Sequence, residues 1–165
     1  MNLFVLRHGI AVEQRRPGHD AERQLTAKGE RKIREAIAAL KGMRISFDLI
    51  FTSPYLRTEQ TARLVAKRLG LAKKLVVSET LKPGANRHEF LRLLTKTDSE
   101  NILIVGHEPF LSRLVSSLIS GSERSLVLLK KGGLCKISMP SLRHGKRATL
   151  EWLLTPRQLK ALGRA

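Results

Sequence analysis

Two arginines and two histidines stand where short apolar runs give way to a loop or a helix. They are Arg7 and His8 in "FVLRHG", Arg57 in "SPYLRTEQTA" and His107 in "LIVGHEP". A guanidinium offers phosphate oxygens a planar fork of donors and keeps its charge. Arg7 and Arg57 therefore suit holding a phosphoryl group and offsetting charge on its equatorial oxygens during transfer. Imidazole titrates near pH 6.5, and arginines beside it disfavour the protonated form, so His8 should present a free nitrogen lone pair as a nucleophile. His107 could donate a hydrogen bond to the same group, the two rings titrating as a pair if they interact strongly. Gly9 completes the first cluster: lacking a Cβ, it permits close backbone approach to a phosphate or a positive φ at a sharp turn. This scheme needs no metal or other cofactor. Carboxylates of the kind that bind Mg²⁺ are not clustered there, and two arginines would repel a zinc ion held by the histidines.

The elements that must position these residues alternate between strand-length apolar runs and helical periodicity, which predicts an α/β domain with a largely parallel sheet. Residues 3–6 ("LFVL") read as a buried strand, followed by a helix capped by Thr26, with Ile33, Ile37 and Leu40 on one face and Gly42 as its stop. "FDLIFTSP" gives a second strand, and "YLRTEQTARLVAKRLG" a helix carrying Thr61, Leu64, Val65 and Leu69 on its apolar side. A shorter strand in "KLVVSETLKPG", a helix around "RHEFLRLLTK", a strand in "NILIVGHEP" and a helix in "FLSRLVSSLIS" continue the pattern. "SLVLLKKGGLCKISM" and "ATLEWLLTP" read as an antiparallel pair added to the sheet, with a short helix within 156–165. Ligands of open α/β sheets bind beyond the carboxyl ends of the strands, and Arg7, His8, Arg57 and His107 all fall there, near helix N-termini that favour anions.

The tripeptide Arg-His-Gly occurs twice. Arg143-His144-Gly145 lies in a polar stretch beside Lys146 and Arg147 and is read as a solvated hairpin loop. His19 and His88 also sit in polar context and are expected on the surface, although the loop bearing His19 could cover the site. The lone cysteine, Cys135, excludes an internal disulfide and reads as a small buried thiol. At 165 residues and 42% hydrophobic, the chain is long enough for one domain, residues 1–165, with a single core. No apolar run is long enough to span a membrane, and "MNLFVLRHG" meets charge too early for a signal peptide, so a cytoplasmic location is expected. The 31 Lys and Arg against 14 Asp and Glu give a formal charge of +17, which favours anionic partners.

"LRHG", "SPYLRTEQTA" and "IVGHEP", in this order and spacing, resemble the histidine phosphatase superfamily, also called phosphoglycerate-mutase-like. The short chain and the stretches "LTAKGERKI", "ETLKPGA" and "LKKGGL" are similar to the SixA-type phosphohistidine phosphatases within it. The resemblance covers nearly the whole chain and implies a three-layer α/β/α sandwich around a mostly parallel mixed sheet. It also implies that His8 is the phosphorylated nucleophile, Arg7 and Arg57 are phosphate ligands and His107 is the second catalytic imidazole. Arg23, in "ERQLT", falls where SixA-type enzymes have a further arginine, with Gln24 in place of their usual proline.

A proton donor is harder to place. Larger members of the superfamily carry a Glu or Asp on a segment inserted after the second helix, whereas here the chain runs directly from "AKRLGLAKKLVVSE" to "TLKPG". Glu79 is the nearest candidate by position, with Glu13, Asp20, Glu22 and Glu108 available from loops. An alkoxide leaving group would lose about 10²–10⁴-fold without a general acid. A phosphohistidine departs more readily, since its imidazole can be protonated near neutral pH. The expected substrate is therefore a phosphorylated protein, with a small phosphorylated metabolite as the alternative within enzymes. A nucleic-acid-binding module, or a silent reader of phosphohistidine, is the alternative outside them. With 4% aromatic residues the chain has few stacking platforms for single strands, so nucleic acid is not the expected partner.

Overall fold

The structure, a computed structural model, describes residues 1–14, 18–122, 124–139 and 147–164. Strand β1 (Asn2–Arg7) leads to helix α1 (Ala27–Gly42), β2 (Leu49–Thr52) to α2 (Leu56–Leu69), β3 (Leu75–Val77) to α3 (Arg87–Leu94) and β4 (Asn101–Gly106) to α4 (Phe110–Ser120). Strands β5 (Leu134–Ser138) and β6 (Thr149–Leu154) and helix α5 (Pro156–Leu162) follow. The sheet order is β3-β2-β4-β1-β5-β6. β3, β2, β4 and β1 are mutually parallel, while β5 runs antiparallel to β1 and to β6.

Alternation along the strands divides the core between the two faces of the sheet. Leu3, Val5, Ile102, Ile104, Cys135 and Ile137 pack with Phe90 and Leu94 of α3 and with Leu111, Leu114 and Val115 of α4. Phe4, Leu6, Ile50, Leu103, Val105 and Leu134 face the other way, onto Ile33, Ile37 and Leu40 of α1, Ala62 and Val65 of α2, and Leu159 of α5. Helices thus cover both faces, giving the expected three-layer sandwich. Local signals set the helix ends. The Thr26 hydroxyl accepts from the Gly29 N–H at 3.0 Å, and Gly70 ends α2 in the left-handed region at φ 72°.

One expected strand is shorter than its apolar pattern implies. In "SLVLLKKGGLCKISM" the ladder begins only at Leu134. Upstream, Leu129 is fully buried, while Leu126 and Leu128 are 58% and 69% exposed. The backbone bonds of this segment go elsewhere: the Leu126 N–H donates to Ser116 Oγ, and the Gly132 N–H to the carbonyls of Arg7 and His8. These donors are satisfied without a ladder, so alternation alone misleads there. The second Arg-His-Gly, Arg143 to Gly145, lies outside the described residues.

Candidate active site

Because β4 lies between β1 and β2, the carboxyl ends of these three strands are neighbours in the sheet. Arg7 pairs in register with Gly106. Beyond the ladder, the His8 N–H donates to the Gly106 carbonyl and the Ser53 N–H to the Val105 carbonyl, each at 3.2 Å. The three loops are therefore fastened where His8, Ser53 and His107 emerge, and Arg57 follows in the first turn of α2.

The bonding of His8 fixes its tautomer. Nδ1 lies 2.7 Å from the Gly9 carbonyl, which can only accept, so Nδ1 carries the proton. Nε2 then holds the lone pair, toward which Arg57 Nε–H donates at 3.3 Å. Burial holds the His8 imidazolium form down, to about 4; the Gly9 bond opposes this, and the charges of Arg57, Arg7 and Lys131 reinforce it. His107 is pushed to about 3, first by burial and then by Arg57 and His8. Both rings are neutral at pH 7, with centroids 5.2 Å apart.

His107 Nε2 lies 3.0 Å from Ser53 Oγ, and the Tyr55 ring meets His107 edge-on at 5.1 Å while also lying under the Arg57 guanidinium. Arg7 donates from Nη1 to the Leu129 carbonyl at 2.8 Å. Burial lowers its pKa from the usual arginine value, against the opposing pull of Glu108. Two buried side-chain nitrogens among the described residues have no hydrogen-bond partner, Arg7 Nε and His107 Nδ1, and both belong to this cluster. An unpaired buried polar atom costs about 1–3 kcal/mol, so two in one place mark a site rather than a core.

The loop between β1 and α1 brings in a carboxylate. Arg57 donates from Nη2 to Asp20 Oδ2 at 2.9 Å and from Nη1 to the Asp20 carbonyl at 2.5 Å. Arg23 holds the other carboxylate oxygen at 2.8 Å and donates from Nε to the Val12 carbonyl. Burial would raise the Asp20 pKa, but hydrogen bonds from Arg23 and Arg57 and their charges outweigh it, so the carboxyl lies below its ordinary value. Arg23 thus reaches the cluster through Asp20.

Two expected site residues take other parts. The Gly9 N–H is spent on Thr61 Oγ1 at 3.2 Å, and Gly9 is not among the positive-φ glycines. Its missing Cβ matters for packing: one built there would sit 3.1 Å from both Leu25 and Ile33, and its carbonyl orients His8. Glu79 is 70% exposed in an ion pair with Lys82, and no hydrogen bond or ion pair joins it to the two histidines or to Arg7, Arg23 and Arg57. Nor do the other loop carboxylates replace it as an evident acid: Glu108 accepts from the Ser112 hydroxyl at 2.6 Å, and Glu22 pairs with His19, which is 56% exposed. His88 is exposed on α3. Cys135 is fully buried, its thiol pushed up to about 12, and so is inert.

Ser53, Tyr55 and the Leu129 carbonyl were not singled out from sequence. Ser53 stands directly after β2, the same position relative to a strand that marks His8 and His107, and that signal could have found it. Leu129 reaches Arg7 from 122 residues away and has no local signature. Among the described residues no group of three His, Cys, Asp or Glu side chains is placed to hold a metal ion, and no helix is long and apolar enough to cross a membrane.

Comparison with known proteins bears on the family and the fold. Residues 3–82, which span β1 to the turn after β3, match the histidine phosphatase superfamily (branch 1). Phosphohistidine phosphatase SixA of Escherichia coli is 28% identical over 163 residues, covering 97% of each chain. The structure of the protein histidine phosphatase SixA complexed with tungstate superposes with a TM-score of 0.83 at 26% identity, over 97% of this chain and 100% of that one. The α-ribazole phosphatase of Shigella flexneri shares the fold, with a TM-score of 0.71 at 23% identity over 94% and 97% of the two chains. The chain belongs to the histidine phosphatase superfamily, with a phosphoglycerate-mutase-like fold similar to SixA, and this membership supports phosphatase activity.

Proposed function

We propose that the protein removes the phosphoryl group from phosphohistidine on a partner protein, with His8 as nucleophile. The observation that carries this reading is the His8 ring: proton fixed on Nδ1 by the Gly9 carbonyl, lone pair on Nε2, neutral at pH 7. In the first step Nε2 attacks phosphorus as the substrate's P–N bond breaks. If the other nitrogen of that substrate ring carries a proton, the departing imidazole leaves neutral and needs no acid from the enzyme. In the second step water attacks phosphorus, the Nε2–P bond breaks, and dihydrogen phosphate leaves with neutral His8 restored.

Arg57 Nε–H, which donates to the lone pair at rest, turns to a phosphoryl oxygen as the N–P bond forms. The unpaired Arg7 Nε–H offers a second donor. His107 supplies a third from Nδ1–H when Nε2 accepts from the Ser53 hydroxyl, a pairing that its 3.0 Å distance permits. Donors fixed before charge develops are worth more than solvent donors that must reorganise.

The approach favours a protein-borne group. α2 ends at Leu69, and only one three-residue 3-10 turn, Ala72–Lys74, separates it from β3. The resemblance to SixA over 97% of the chain points the same way. The test is phosphate release from a phosphohistidine-bearing carrier protein and from p-nitrophenyl phosphate, by wild type and His8→Ala. Release from the carrier that vanishes in the variant supports the reading. Turnover of the nitrophenyl ester alone replaces it with a metabolite phosphatase.

A further inference from the structure

The chain's positive charge is unevenly compensated. Along the helices, Arg34 pairs with Glu30, Arg63 with Glu59 and Lys160 with Glu35, and across β5 and β6 Lys136 pairs with Glu151. Beside the candidate site a groove gathers cations that have no such partner among the described residues. The groove, of about 630 Å³, is lined by Arg7, Lys32, Lys130, Lys131 and Arg157, with Leu128 among its walls. Among the described residues none of these five cations is in an ion pair, and the lining contains no carboxylate. The cations come from β1, α1, the 125–133 segment and α5, so the folded chain rather than a basic run gathers them. Arg7 belongs to both the groove and the cluster around His8, which makes the two continuous.

We propose that this groove docks an acidic face of the protein that carries the phosphorylated side chain. The inference rests on the proposed phosphohistidine phosphatase function and supplies its partner chemistry. Uncompensated cations steer an acidic surface and fix its register. Leu128, 69% exposed, is the most exposed large apolar side chain among the described residues. An apolar wall beside cations suits an amphipathic acidic helix, which presents a hydrophobic residue among its carboxylates. Single-stranded nucleic acid fits less well, because the lining has no aromatic side chain on which a base could stack.

Lys32 and Arg157 touch neither histidine, so Lys32→Glu with Arg157→Glu tests the groove without entering the chemistry. Expected for the phosphorylated carrier is a fall of tenfold or more in kcat/KM, carried by KM and with a shallower dependence on salt. Turnover of p-nitrophenyl phosphate should stay within about twofold, as changes on an exposed surface usually leave the fold intact. Equal loss on both substrates, or no loss on either, overturns the proposal. Binding of the unphosphorylated acidic carrier domain to wild type and variant, by calorimetric titration, reads the groove independently of turnover. Weakened binding in the variant supports docking even if the wild type fails to dephosphorylate the carrier, an outcome that would sink only the functional reading. Tighter binding of single-stranded RNA than of the acidic domain, lost in the same variant, would overturn docking in favour of a nucleic-acid surface.

Discussion

The parallel half of the sheet and the segment leading into its antiparallel half meet at β1, and they equip the site differently. Just beyond β1, β2 and β4 and in the first turn of α2 stand side chains that are buried, neutral or tightly bonded: His8, Ser53, Arg57 and His107. The 125–133 segment contributes exposed lysines, an exposed leucine and one backbone carbonyl, which reaches Arg7. Burial is what depresses the two imidazoles, and hydrogen bonds to Gly9 and Ser53 aim their nitrogens. Exposure is what leaves Lys130 and Lys131 free to meet a partner. A fixed electrostatic environment for chemistry and an adaptable one for recognition thus come from two kinds of backbone on either side of one arginine.

This division predicts that damage to the parallel half costs every substrate alike. His8→Ala should give the largest effect, a loss of more than about 10³-fold on the carrier and on p-nitrophenyl phosphate together, since it removes the proposed nucleophile and not merely one donor. Retention of carrier turnover with loss of the ester alone would break the comparison. Next in size is Arg57→Ala, expected to cost about 10²–10³-fold in kcat on both substrates, the usual consequence of losing one charge-stabilising donor. Arg57→Lys should recover little, because an ammonium cannot donate to His8 Nε2 and to Asp20 in one plane.

The pH profile sharpens the same point. A histidine at its ordinary value would lose half its nucleophile near pH 6.5. With His8 held to about 4 by burial, kcat/KM for p-nitrophenyl phosphate should stay level from pH 7 to about 5 and fall only as pH approaches 4. Stability changes earlier. The unfolded chain binds these protons near pH 6.5 while the folded chain resists them, so stability is full above that value and declines as pH falls toward about 4 for His8 and about 3 for His107. Thermal melts of wild type from pH 7 to 4 should show this decline, and His8→Ala should flatten it. An acid limb centred near pH 6.5 would mean that His8 is open to solvent.

The two halves also differed in how far they could be read in advance. Parallel strands write strong signals, because "LFVL" and "ILIV" are continuous apolar runs buried on both faces, and the residue after each falls at the sheet edge where ligands bind. Arg7, His8, Arg57 and His107 could be placed in this way. The 125–133 segment shows strand-like alternation, but its Leu126 N–H is taken by Ser116 and its Gly132 N–H by the Arg7 and His8 carbonyls, contacts that no local pattern encodes. Gly9 illustrates a subtler limit: its type was informative, but the reason lay in Leu25 and in Ile33 of α1, which would crowd a Cβ. The groove cations are scattered through the sequence between Arg7 and Arg157, so only the fold reveals them as neighbours.

The smallest expected effect concerns Asp20, where chemistry and recognition overlap. Its carboxylate sits on Arg57 and Arg23 with its pKa lowered, so at pH 7 it places an anion on the guanidinium proposed to receive the phosphoryl group. Phosphate must therefore compete with Asp20 for Arg57, or share it through Nε while Asp20 keeps the terminal nitrogens. Asp20→Asn separates these cases, because the amide keeps an acceptor oxygen for Arg57 and loses the charge. If the two anions compete, inorganic phosphate should inhibit the variant several-fold more tightly than wild type, with kcat changed by less. Unchanged inhibition would mean that Asp20 and phosphate use different edges of the guanidinium, making the acid a strut that aims Nε at His8. In that case Asp20→Ala, which also removes the acceptor, should lower kcat on both substrates, as expected of a contact belonging to the parallel half.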